Sequence, residues 1–355
     1  MNFADRIIAW QKHYGRHDLP WQRTCDPAVA PYRIWLSEIM LQQTQVATVI
    51  PYYERFVARF PDLRALASAP VESVMESWAG LGYYSRARNL HRCAQRIADT
   101  SGGEFPRSVE QLEQLPGIGR STAAAIAALA FGVRAAILDG NVRRVLARHC
   151  GIEGYPGSPK IEREFWQRAE SLLPFDEIEA YTQGLMDLGA TVCTRSRPNC
   201  AACPVNTTCV ARSAQTIDKL PTPRPVRERP LRAATVLVMQ DASGAVLLEL
   251  RPPSGIWGGL LSLPEFDPEA NDEALIAEVS ARYGLHITIA ETLGEVRHEF
   301  THYTYLMRPR LARVVGTVGV ASASLRAVSD DALETAPLPA PIRRLLLHVM
   351  KPVLV

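Results

Sequence analysis

The chain is predicted to be multidomain, with a mostly α-helical N-terminal domain over residues 1–215 and a smaller α/β domain over 232–355. Three observations carry this. Apolar residues in the first part recur at helical spacing, broken by single prolines and glycines. Residues 219–230 then read Lys-Leu-Pro-Thr-Pro-Arg-Pro-Val-Arg-Glu-Arg-Pro, too rich in proline for a regular element and read as part of an extended linker at 216–231. Beyond it, β-branched and aliphatic runs separated by turn residues replace the helical period.

Element by element, Phe3, Ile7, Trp10 and Tyr14 define a first helix with Asn2 as its cap. Ile34-Trp35 and Ile39-Met40-Leu41 continue the pattern, as do Val71, Val74-Met75 and Trp78. Pro61, Pro70, Gly80, Gly82, Pro106 and Pro116 punctuate it, which suits short helices and tight turns. In the second part, runs at 234–239 and 245–250 flank Asp-Ala-Ser-Gly, a hairpin signature. A helix over 273–283, strands over 296–300 and 303–306 and a last helix over 341–350 complete the expectation.

Composition restricts function only loosely. With 47% hydrophobic and 21% charged residues the chain reads as globular, and a net charge of +2 leaves any nucleic-acid surface to local clustering. The longest apolar stretch, 123–138, is interrupted by Gly132 and Arg134 and is too short for a bilayer. Asp5 argues against a transit peptide, and the start has no signal-peptide core, so a cytoplasmic protein with no membrane partner is expected.

Of seven cysteines, Cys25, Cys93 and Cys150 stand alone, while Cys193, Cys200, Cys203 and Cys209 are separated by six, two and five residues. Four thiolates this close suit either a tetrahedral zinc ion or a 4Fe–4S cubane. Arg195 and Arg197 lie between the first two, where a pinned loop would hold them rigidly for phosphate contacts. Upstream, Leu115-Pro116-Gly117-Ile118-Gly119 precedes an apolar helix starting near Ser121-Thr122. Gly117 and Gly119 would let backbone N–H groups at a helix N-terminus meet a phosphate. Twenty residues after Gly119 comes Leu138-Asp139-Gly140-Asn141-Val142, in which Asp139 alone would be read as an ordinary N-cap.

Together these features resemble the endonuclease III superfamily of helix–hairpin–helix DNA glycosylases, in which a hairpin, a catalytic Asp and a four-cysteine iron–sulfur loop succeed one another in that order. The resemblance implies a 4Fe–4S cluster on the four cysteines. It sharpens to the MutY family at 35–46, Trp-Leu-Ser-Glu-Ile-Met-Leu-Gln-Gln-Thr-Gln-Val, and at 80–90, Gly-Leu-Gly-Tyr-Tyr-Ser-Arg-Ala-Arg-Asn-Leu. Members of that family excise adenine opposite 8-oxoguanine or guanine in duplex DNA. The resemblance thus implies a monomeric, nucleoid-associated repair enzyme of bacterial type.

Adenine leaves deoxyribose only once protonated, and the sugar passes through a cationic state, so one carboxyl must donate a proton while another stays anionic. The resemblance assigns the donor to Glu38, acting on N7, and the anion to Asp139, with Asn141 bonding Asp139 or the sugar. Apolar Ile34, Trp35, Met40 and Leu41 around Glu38 would raise its pKa. Gln43 and Tyr83 are implied to wedge into the duplex as the base is extruded. Arg88, with Arg92 and Arg96 at four-residue intervals, forms either a solvated face or a phosphate stripe. Position 121 is a lysine in strand-cutting members, where it forms a Schiff base, so Ser121 implies a monofunctional enzyme. Arg143 stands where many bacterial members have a lysine that can be trapped on the product, and a guanidinium forms no such adduct.

The C-terminal domain resembles that of MutY, which shares the Nudix hydrolase fold. Gly259 and Glu265 have the spacing that opens a Nudix box, but Ala281 and Arg282 fall where its paired glutamates belong. Without clustered carboxylates Mg²⁺ has no adequate site, and nucleotide hydrolysis is not expected. Phe300-Thr301-His302 falls where the family has the Phe-Ser-His that reads 8-oxoguanine. Two other readings are a bifunctional pyrimidine glycosylase, opposed by Ser121 and the extra domain, and a catalytically silent iron–sulfur protein, opposed by the presence of Glu38 and Asp139.

Overall fold

The computed structural model describes residues 1–23, 26, 29–225, 228–252, 255–300, 302–317 and 324–350. Cys25 and Thr301 lie outside them. The contacts divide the chain into two units, Met1–Val71 with Arg86–Val226, and Glu72–Ser85 with Arg227–Val355.

The first unit is helical. Its opening helix, Phe3–Tyr14, carries the expected cap as a full capping box, the Asn2 side chain accepting from Asp5 N and the Asp5 carboxylate from Asn2 N. Ile7, Trp10, Ala128, Leu146, Phe165, Tyr181 and Leu188 are among the buried residues of one core shared by several helices. The unit also extends past the expected boundary. Leu220 is buried in that core, and Arg148 donates to the carbonyls of Ile217 and Leu220 at 3.1 and 2.9 Å. Gly154 N–H donates to Thr222 Oγ1 at 2.9 Å. A proline-rich tract lacks donors but keeps its carbonyls, so a buried arginine can still hold it against the helices. The grouping of Glu72–Ser85 with the second unit had no signal in the sequence.

Among the described residues, the second unit is built on an eight-stranded mixed sheet. Its strands are β1 Leu231–Gln240, β2 Val246–Leu250, β3 Leu261–Ser262, β4 Glu265–Phe266, β5 Leu285–Thr292, β6 Val296–Glu299, β7 Thr304–Thr317 and β8 Leu325–Val328. The order β3-β2-β1-β7-β5 makes β1 and β7 parallel neighbours, while the other pairings are antiparallel. The hairpin turn between β1 and β2 is closed by Asp241, whose carboxylate accepts from Ser243 N and Ala245 N. Alternate residues of β1 serve two cores. Val236 and Val238 pack with Ile342, Leu345 and Leu346 of the helix Ala340–Met350. Leu237 and Met239 pack with Leu275, Val279 and Tyr283 of the helix Asp272–Tyr283. Burial on both faces explains why β1 reads as a continuous apolar run. The short β3 and β4, β5, β8 and the length of β7 had no clear signal in the sequence.

Candidate active site

Glu38 lies near the end of the helix Ala30–Leu41, which starts with Pro31 in its first turn. Trp35, Leu36 and Met40 are fully buried, and Tyr32 Oη donates to Phe60 O at 2.6 Å, fixing the helix in the unit. The helix packs on Arg120–Phe131, the helix after the glycine hairpin. Burial pushes the Glu38 carboxyl up to about 7, and the negative charge of Asp139 adds to the rise. The apolar neighbours read in the sequence are therefore matched by a second carboxyl that the tertiary fold brings close.

Asp139 is the N-cap of the helix Gly140–Cys150, its Oδ1 accepting from Val142 N at 2.7 Å. The N–H groups and helix dipole that fix the carboxylate also favour its anionic form. Burial raises its pKa, opposed by the N–H groups of Val142 and Asn141 and by Arg144 and Arg143. The residue before it is also held, since Leu138 N–H donates to Ser121 Oγ at 2.9 Å. Ser121 thus ties the start of the hairpin helix to the segment that presents Asp139.

Asn141 bonds Asp139 through its backbone N–H, while its side-chain Oδ1 accepts from Arg144 Nη2 at 2.8 Å. Arg144 also donates to Gly189 O and Cys193 O at 2.6 and 2.7 Å. Gly189 sits in a π-helical turn, Leu188–Val192, and a Cβ there would stand 2.6 Å from Asn141 Cβ and 3.0 Å from its backbone. A side chain would force the two segments apart. Arg143 pairs with Glu162 at 2.7 Å.

The four clustered cysteines line one pocket together with Arg148, Val192, Pro198, Asn206 and Ile217. Arg148 is almost wholly buried and donates to Cys193 Sγ, Thr194 O and Arg195 O. Arg195 and Arg197 are exposed at the loop surface, their carbonyls accepting from Arg148 and from Thr194 Oγ1. Arg144 and Arg148 were missed in the sequence. Their four-residue spacing on the helix that Asp139 caps was the available signal.

Gly117 has φ +80°, and a Cβ there would stand 2.7 Å from Asn89 Cβ, so the hairpin turn requires glycine twice over. Gly119 differs: its φ of −95° suits any residue, and nothing lies within 4 Å of its missing Cβ. Its benefit is open space over a helix N-terminus that no side chain caps. Gln43 and Tyr83 are both exposed, and both hold left-handed backbones, φ 59° and 50°. Such values are uncommon for bulky side chains and occur also at Glu177, Gln215 and Trp257. Arg88 is partly buried, and burial and the neighbouring Arg92 lower its pKa. Arg92 donates to Asn89 Oδ1 at 2.7 Å.

In the second unit, Phe300 and His302 lie in the four-residue turn between β6 and β7, closed by Phe300 N donating to Tyr303 O at 2.9 Å. Thr301 is outside the described residues. Phe300 packs against His298, Trp257 and Tyr303, with ring centres 4.6, 5.4 and 4.8 Å apart, and His302 is exposed. Arg282, at one of the positions where the Nudix box has a glutamate, grips both oxygens of Glu249 at 2.8 and 2.9 Å, and Arg251 pairs with Glu265 at 2.6 Å. No helix among the described residues is long and apolar enough to cross a membrane.

Residues 36–171 match the HhH-GPD superfamily of base excision DNA repair proteins, and residues 235–348 match the NUDIX domain. The chain is 35% identical over 307 residues to the adenine DNA glycosylase of Buchnera aphidicola subsp. Baizongia pistaciae, covering 86% of this chain and 85% of that protein. It is 37% identical over 354 residues to the Homo sapiens adenine DNA glycosylase, covering 84% of this chain and 65% of that one. Among solved structures, a thermostable thymine-DNA glycosylase is similar with TM-score 0.51 and 29% identity, over 60% of this chain and 95% of that chain. With its paired carboxyls, glycine hairpin and Nudix-type second unit, the chain belongs to the adenine DNA glycosylase family.

Proposed function

We propose that the protein excises adenine standing opposite 8-oxoguanine or guanine in duplex DNA, by hydrolysis and without cutting the strand. The observation that carries this is a carboxyl held half-protonated near neutrality, Glu38, beside a second, N-capped carboxyl, Asp139. Glu38 donates its proton to N7 of the extruded adenine, turning the base into a leaving group. Asp139, held by the first N–H groups of its helix, stabilises the cationic sugar. Glu38, now ionised, accepts a proton from the water that completes hydrolysis. Asn141 acts through the backbone, its N–H facing Asp139 while its side chain is tied to Arg144.

Base extrusion depends on Gln43 and Tyr83, whose strained backbones present exposed side chains to the duplex. Gly117 and Gly119 with the uncapped helix behind them, Ser121 at its start, and Arg88, Arg195 and Arg197 supply phosphate contacts. Phe300, Thr301 and His302 read the base opposite adenine.

Cys193, Cys200, Cys203 and Cys209 fit a 4Fe–4S cluster. All four line one pocket with the buried Arg148, which donates to Cys193 Sγ. Four thiolates in one pocket supply one ligand for each iron of a cubane. The cluster would brace the loop bearing Arg195 and Arg197. The test is product analysis on duplexes with adenine opposite 8-oxoguanine, guanine, cytosine or thymine. Free adenine and an intact abasic strand are expected from the first two only, and removal of a pyrimidine instead would overturn the reading.

A further inference from the structure

The helix that carries Glu38 ends at Leu41, and its last carbonyls need partners from elsewhere. Two of them, with the carbonyl of Gln42 just beyond, find one in a single side chain, Arg86, which is 7% exposed. Its Nη1 donates to the carbonyls of Ile39, Met40 and Gln42 at 3.0, 2.7 and 2.6 Å, three acceptors sharing two hydrogens. Its Nη2 donates to Thr44 Oγ1 at 3.1 Å. Thr44 is tied back to the same turn, its N–H donating to Leu41 O at 3.2 Å. The residues on both sides of Gln43 are therefore fixed to a single guanidinium. Gln43 itself is exposed and left-handed at φ 59°, a conformation that a glutamine does not hold without restraint.

We infer that Arg86 is a positioning residue that keeps Gln43 in its insertion-ready backbone, so that base extrusion, rather than bond cleavage, depends on it. This rests on the reading of Gln43 as the inserted residue. A guanidinium suits the task because its planar fork addresses several acceptors at fixed angles, and the negative end of the helix dipole favours a cation there. A lysine keeps the charge but is a compact point donor, and cannot span Ile39 O and Thr44 Oγ1 in the same way.

The experiment compares Arg86→Lys with wild type on two duplexes under single-turnover conditions. In one, adenine is mispaired with guanine and must be pulled from a pair; in the other it faces an abasic site and has no pair to break. Arg86→Lys should lose about tenfold or more on the first, the usual scale for charge-assisted hydrogen bonds, and less than about threefold on the second. The pH midpoint of excision should not move, because Glu38 keeps its surroundings. A Gln43→Gly background, which accepts the left-handed backbone without restraint, should make Arg86→Lys nearly silent. If Arg86→Lys does not fold, Thr44→Val removes only the hydroxyl that accepts from Arg86 and donates to Gln42 O at 3.4 Å, and should give the same substrate split at smaller size. Equal losses on both duplexes, or a full loss retained in the Gln43→Gly background, would overturn the inference. Failure of the wild type to release adenine from either duplex would instead overturn the proposed function.

Discussion

On the proposed mechanism, the pH dependence of adenine release should be set by the two carboxyls, Glu38 and Asp139. An ordinary glutamate with its pKa at 4.5 is protonated in only ~0.3% of molecules at pH 7. With Glu38 raised to about 7, that share becomes ~50%, a gain of about 150-fold in the acid form available to N7. The acid form is complete below the raised pKa and is lost as pH rises through it. Between about pH 7 and pH 9 the rate should fall ~50-fold if Glu38 alone governs that limb. On the acid side the rate should fall again once Asp139 protonates, at a pH above the ordinary aspartate range because burial raises its pKa. The two limbs belong to the coupled pair, since the charge on Asp139 is itself one cause of the Glu38 rise. Glu38→Gln keeps the shape and removes the proton, and should cost ~10²–10⁴ in single-turnover rate while duplex affinity persists. The assay is adenine release at saturating enzyme from about pH 5 to pH 9, for wild type and variant. A wild-type rate that stays flat across the alkaline limb, or a Glu38→Gln rate near wild type, would refute the reasoning.

Purified protein should be brown and contain about four iron atoms per chain, measured by absorbance and iron analysis; Cys203→Ala should lose the iron, whereas Cys93→Ala and Cys150→Ala should keep it. Borohydride should trap little enzyme–DNA adduct, and product strands should remain intact until alkali is added. Ser121→Lys adds a nucleophile but also removes the acceptor for Leu138 N–H, so adenine release should fall by about fivefold, the worth of one ordinary hydrogen bond. Replacing Thr301 and His302 together by alanine should narrow the preference for 8-oxoguanine over guanine mispairs, since a lost base contact costs ~1–3 kcal/mol; an unchanged ratio of excision rates would place recognition elsewhere.

Much of the molecule was legible without coordinates, because its signals are local. Periodicity marks the helices, the capping box at Asn2 and Asp5 is a four-residue pattern, and the Asp241-to-Gly244 turn announces its hairpin. The cysteine spacing and the segments around Glu38 and Asp139 carry the chemistry as residue types at set intervals. What sequence could not supply is proximity between residues far apart in the chain. That Asp139 sits near enough to raise Glu38, about a hundred positions earlier, is a product of helix packing. So is the tie from the Asp139 helix to the cysteine loop, where Arg144, one turn after Asn141 and bonded to its Oδ1, also donates to Cys193 O. The glycine at 189 reads as an ordinary small residue until its distance to Asn141 shows that a methyl would not fit. Arg86, quoted above only as part of the 80–90 segment, gains its partners when the end of the Ala30–Leu41 helix is folded against it. The physical reason is the same in each case. Local propensity and spacing are written along the chain, whereas desolvation, close packing and the pairing of buried charge exist only once distant segments exclude water together.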